Sequence, residues 1–150
     1  MPGTIRPAFA NRDEPRIAYG VPFPEITASQ AATYFHASKV YVICSGSLSR
    51  NTNALERLKN ALGDKFAGVR IGMKPHTLWS EVVEIINDAK SVGADLLVTL
   101  GAGSLTDAAK IVAFALANDV TTFDGLYGLT TNVNKDAKQP AAKDSTIKAS

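Results

Sequence analysis

Apolar residues along this chain follow two rhythms. Unbroken runs rich in branched and aromatic side chains, Lys39-Val40-Tyr41-Val42-Ile43-Cys44 and Asp95-Leu96-Leu97-Val98-Thr99-Leu100, predict strands buried on both faces. Phe66–Ile71, closed by Gly72, predicts a third strand, and Ile17–Val21, closed by Pro22 and Pro24, a short fourth. Between them the apolar positions recur at helical spacing. Thr27 caps a predicted helix over Ala28–Ala37, and Asn53–Leu62 sets Leu55, Leu58 and Leu62 on one face, with Gly63 as its stop. Leu78, Val82, Ile85, Ile86 and Ala89 mark a helix over Leu78–Ser91, with Thr77 as N-cap and Glu81 in its first turn. Another runs from Leu105 to about Ala117. Strands and helices alternating every thirty residues or so imply an α/β fold, a parallel sheet covered by helices.

At 150 residues the chain has the length of one domain. Residues 1–15 carry three prolines and few large apolar groups and are expected to form a flexible arm; residues 16–131 form the domain; residues 132–150, rich in Lys, Ala, Asp, Thr and Ser, are expected to be a disordered tail. The net charge of +2 resides in that tail, with four lysines against two aspartates, and the rest balances to zero. A nucleic-acid binder would carry a basic stripe on its folded elements, with aromatics interleaved, and this chain has none. No apolar run nears the roughly 18–20 residues that span a bilayer, and the N-terminus lacks the apolar core of a secretory signal. The single cysteine, Cys44, excludes a disulfide framework and favours a reducing, cytoplasmic home.

The candidate chemistry lies at Gly101-Ala102-Gly103-Ser104-Leu105-Thr106-Asp107-Ala108-Ala109-Lys110, where a glycine-rich turn joins a buried strand to an apolar helix. Free backbone N–H groups at the positive end of a helix dipole hold phosphate oxygens. Two plainer readings stay open: Ser104 and Asp107 are spaced as an S-x-x-D capping box, and glycines in such a turn also serve geometry alone. No Gly-Lys-Ser/Thr follows, so the turn is not a P-loop. Thr106 occupies the third glycine position of G-x-G-x-x-G, so it is not the ordinary dinucleotide fingerprint either. His36 and His76, the two histidines, lie forty residues apart without acidic neighbours at ligand spacing, which argues against a metal site.

The same stretch resembles the GGGSxxDxAK cofactor motif of iron-dependent (group III) alcohol dehydrogenases. The likeness runs over roughly residues 16–130, through KVYVICSGSLS and GMKPHTLWSEVVEIINDAKSVGADLLVTLGAGSLTDAAK. It implies a Rossmann-like domain with helices on both faces, preceding an all-helical metal domain. Gly101, Ala102, Gly103 and Ser104 would then face the pyrophosphate of NAD or NADP. Asp107, which would repel a phosphate, would cap the helix or bind a ribose hydroxyl. Two positions depart from the pattern. Ala102 replaces the family's middle glycine, keeping the donor but disfavouring a positive φ. Ser45, in the turn Ser45-Gly46-Ser47, stands where many members carry a ribose-binding aspartate, which makes NADP acceptable and slightly favoured. The family's iron or zinc ligands, one aspartate and three histidines, match nothing here. The resemblance therefore implies an NAD(P)-binding domain of an alcohol or aldehyde oxidoreductase, inactive alone. It also implies a homo-oligomer, paired through Ile17–Val21 or exposed apolar surface. The alternative is a non-catalytic oligomerisation module that retains the fold.

Overall fold

A computed structural model of the protein describes residues 3–73, 79–101, 104–131 and 146–149. In chain order the elements are β1 (Thr4–Phe9), β2 (Arg12–Tyr19), α1 (Phe23–Thr33), β3 (Val40–Cys44), α2 (Gly46–Asn51), α3 (Ala54–Leu62) and β4 (Phe66–Ile71). There follow α4 (Trp79–Ser91), β5 (Leu96–Leu100), α5 (Ser104–Ala117), α6 (Phe123–Thr131) and β6 (Thr146–Ala149).

The main sheet has the order β4-β3-β5-β6 and all three pairings are parallel. Every residue of β3 and β5 is buried. That is why both read as continuous apolar runs: a central parallel strand has a helix layer on each side. Alternation along the strands divides the core in two. Tyr41, Ile43 and Leu97 pack with Val82, Ile85, Ile86 and Ala89 of α4, Ala108, Ala109 and Val112 of α5, and Leu126 of α6. Val40, Val42, Cys44, Leu96, Val98 and Leu100 pack with Ala31 of α1 and with Ala54, Leu58 and Leu62 of α3. The expected Rossmann-like parallel sheet with helices on both faces is present. No helix among the described residues is long and apolar enough to cross a membrane.

Four expectations change. The segment read as an arm is the first half of a two-stranded antiparallel ribbon, with Thr4 opposite Tyr19 and Phe9 opposite Arg12. The predicted strand Ile17–Val21 is the end of its longer second strand, which stops at Tyr19. Arginines stack on aromatic rings across and beside this ribbon: Arg12 on Phe9 at 4.5 Å, Arg6 on Tyr19 at 6.0 Å, and Arg16 on Tyr34 at 4.5 Å. Such contacts stabilise an exposed ribbon without a core. Helix α1 begins at Phe23 rather than Ala28, since Pro24 in a first turn forfeits no hydrogen bond, and Thr27 is buried inside it instead of capping it. It ends by Tyr34, and His36 has φ 54. The tail read as disordered contributes β6, in register with Leu97–Leu100. Thr77, the predicted cap of α4, lies outside the described residues, as does His76.

Candidate functional site

The connections of the sheet single out one place. From β3 the chain crosses through α3 on one face to β4; from β4 it returns through α4 on the other face to β5, on the far side of β3. Strand order therefore reverses between β3 and β5. Helices leave these two strands on opposite faces and open a crevice beyond their carboxyl ends, where open α/β sheets bind ligands.

The two ends meeting there carry the residues singled out in the sequence. The Ser45 N–H, just past β3, donates to the Leu100 carbonyl at the end of β5 (3.0 Å), binding the two exits together. Ser45 was expected in a plain turn. It is instead the N-cap of the short helix α2, its Oγ accepting from the Leu48 N–H at 3.2 Å. Gly101 has φ 140, a conformation that only glycine adopts readily. Its missing Cβ matters as much: one placed there would lie 2.7 Å from Leu105 Cδ1 and 3.1 Å from Ser45 Cβ. The floor continues to the next strand exit, where the Gly72 N–H donates to the Cys44 carbonyl at 2.8 Å. Gly72 and Gly46 face each other so closely that a Cβ on Gly46 would lie 3.7 Å from the Gly72 Cα.

Helix α5 starts at Ser104. Leu105, Ala108 and Ala109 bury its inner face, the two alanines fully, which lets the helix close onto the sheet. Asp107 lies exposed in the first turn, where its charge complements the helix dipole, and Lys110 is exposed one turn on. Thr106 has an enclosed hydroxyl oxygen without a hydrogen-bond partner among the described residues. An unmet buried hydroxyl costs roughly 1–3 kcal/mol, so it is an unusual possession for a helix start whose only duty is packing. Ala102 and Gly103 lie outside the described residues.

The structure thus brings Ser45 and Gly101 into contact and sets Ser104 and Asp107 at the helix that follows. The sequence reading passed over Gly72, although a signal existed: Gly46, Gly72 and Gly101 each come within two residues of a strand end. Cys44 is buried beneath this floor, and burial pushes its thiol pKa up, away from reactive thiolate. Among the described residues no three His, Cys, Asp or Glu side chains gather to hold a metal ion.

Residues 22–146 match the model of the iron-containing alcohol dehydrogenase family. The chain belongs to that family. It is 36% identical over 141 residues to the dehydrogenase FUM7 of Gibberella moniliformis, covering 93% of this chain and 32% of that protein. It is 37% identical over 103 residues to the dehydrogenase ALT3 of Alternaria alternata, covering 68% of this chain and 27% of the other. The chain therefore spans about a third or less of these relatives' length. Among solved iron-containing alcohol dehydrogenase structures, the fold matches the NADH-dependent butanol dehydrogenase A of Thermotoga maritima with TM-score 0.66 at 20% identity, over 83% of this chain and 29% of that one. It matches the iron-containing alcohol dehydrogenase of Thermococcus thioreducens with TM-score 0.65 at 18% identity, over 86% and 33%.

Proposed function

We propose that these 150 residues form the dinucleotide-binding part of an alcohol or aldehyde oxidoreductase, with NADP or NAD lying across the Ser45–Gly101 crevice. One observation carries the reading: the glycine turn of the family motif falls at the point where strand order reverses. Gly101 lets the strand-to-helix turn close, since a Cβ there would collide with Leu105 and Ser45, and a turn of this kind presents a helix N-terminus to a pyrophosphate. Ala102 and Gly103 would offer backbone N–H groups and Ser104 its hydroxyl. Asp107 would serve the helix dipole or a ribose hydroxyl. Ser45, neutral where a carboxylate would repel a 2′-phosphate, leaves NADP admissible. The bound cofactor would supply hydride transfer at its nicotinamide.

Among the described residues no three ligating side chains gather to hold iron or zinc. In this reading the 150 residues bind cofactor without turning over substrate. Calorimetric titration with NADP and NAD tests it. Saturable binding, weakened at least tenfold in Ser104→Glu by charge repulsion, is the expected result. A chain that binds neither nucleotide contradicts the proposal, and so does metal-dependent aldehyde reduction by the 150 residues when iron or zinc is added with NADPH.

One observation favours association of two copies as well. Phe9, Ile17 and Tyr19 on the β1–β2 ribbon are 49%, 40% and 53% exposed. Exposed apolar strand surface of this kind favours self-pairing. The reading predicts a dimer in sedimentation that Ile17→Lys dissociates; a monomeric wild-type chain would rule it out. A cytoplasmic home accords with the lone buried thiol of Cys44.

A further inference from the structure

We infer that Arg50 selects a 2′-phosphorylated dinucleotide over its unphosphorylated counterpart, an inference that rests on the dinucleotide reading proposed above. Arg50 lies four residues after Gly46 on the short helix α2, and this spacing puts both on one helical face. Its guanidinium folds back over Gly46: a Cβ built on that glycine would meet Arg50 Nη1 at 2.8 Å and Cζ at 3.6 Å. The glycine thus opens the space that the guanidinium and its neighbourhood share. Arg50 is exposed, and its side chain has no ion-pair or hydrogen-bond partner among the described residues. Arg70 contrasts with it, being held by Glu81 and Glu84.

The position along the sheet edge gives this free cation its meaning. From Gly101 the floor runs to Ser45, within 3.1 Å of a Cβ placed on Gly101, then to Gly46 and Gly72. A dinucleotide with its pyrophosphate on the Gly101 turn lays its adenosine half over the neighbouring strand exit, which is Ser45 and Gly46. The Arg50 guanidinium lies over Gly46, the residue that follows Ser45. A 2′-phosphate carries close to two negative charges near neutral pH, as phosphate monoesters do. It offers three acceptor oxygens to a planar fork of N–H donors, a pairing that a ribose hydroxyl cannot match. Ser45 brings no opposing charge. Arginine beside the strand exit therefore adds affinity only for the phosphorylated ribose, which is what discrimination requires.

The test titrates the 150-residue chain with 2′,5′-ADP, 5′-ADP, NADP and NAD, alongside Arg50→Ala and Arg50→Gln. The expected wild-type preference for 2′,5′-ADP over 5′-ADP is about tenfold or more, and the neutral variants abolish most of it. Affinity for 5′-ADP and NAD stays unchanged in both, and far-UV circular dichroism confirms that the variants are folded. Arg50→Lys keeps part of the preference, having the charge without the fork. If Arg50→Ala and Arg50→Gln bind all four nucleotides with the wild-type ratio, or lose affinity equally for all four, this inference falls and the dinucleotide reading stands. If the wild-type chain binds none of the four, the dinucleotide reading falls and takes this inference with it.

Discussion

The two edges of the parallel sheet are built differently. At the amino edge the polar groups find partners. The Asp95 carboxylate accepts from the backbone N–H groups of Ser38 and Lys39, both at 2.9 Å. The Asp95 N–H in turn donates to the Lys39 carbonyl at 2.9 Å, and Lys65 Nζ donates to the Ala37 carbonyl at 2.8 Å. At the carboxyl edge the chain exits over glycines and serines, and among the described residues the Arg50 guanidinium and the enclosed Thr106 hydroxyl have no partner. One edge closes the fold and the other leaves its bonding capacity open.

Three substitutions separate the edges, in order of decreasing effect. Gly101→Ala sets a Cβ against Leu105 and Ser45 at a φ alien to L-residues, and about 3 kcal/mol of stability should be lost together with nucleotide affinity. Thermal unfolding with and without NADP measures both; an unchanged melting point would show that the turn is not rigid. Asp95→Ala leaves two backbone donors without their carboxylate and should cost about 2 kcal/mol, with nucleotide affinity unaltered. A parallel loss of affinity would break the separation of the edges. Thr106→Val replaces an unmet hydroxyl by a methyl group and should raise stability of the free chain by about 1 kcal/mol. The same variant should show a smaller stabilisation by NADP if the hydroxyl is reserved for the ligand. A free chain that is destabilised instead would mean that the oxygen is already satisfied.

Legibility in the sequence followed burial. The strands β3 and β5 stood out because both their faces are covered, and α3 and α4 because one apolar stripe faces the sheet. The β1–β2 ribbon showed no period-two apolar pattern because both its faces are largely exposed, and arginine–aromatic stacking across strands replaces a core. Helix α6 was hidden by Gly125 and Gly128. It is anchored by the fully buried Leu126 and started by Thr122, whose hydroxyl accepts from the Gly125 N–H at 3.1 Å, a cap of ordinary N-terminal type. Strand β6 depends on an edge of β5 that lies far away along the chain.

The sequence by itself determined the glycine turn, the buried strands and the helix periods, because these depend on neighbours along the chain. It also carried the resemblance that the family match confirmed. Only the tertiary structure decided that Ser45 and Gly101 touch, that Gly46 faces Gly72, and that Arg50 lies over the same floor. The first two meetings follow from strand order in a parallel sheet, where residues far apart along the chain become neighbours through crossovers whose direction local pattern does not encode, and the third from the short helix that starts at the same strand exit.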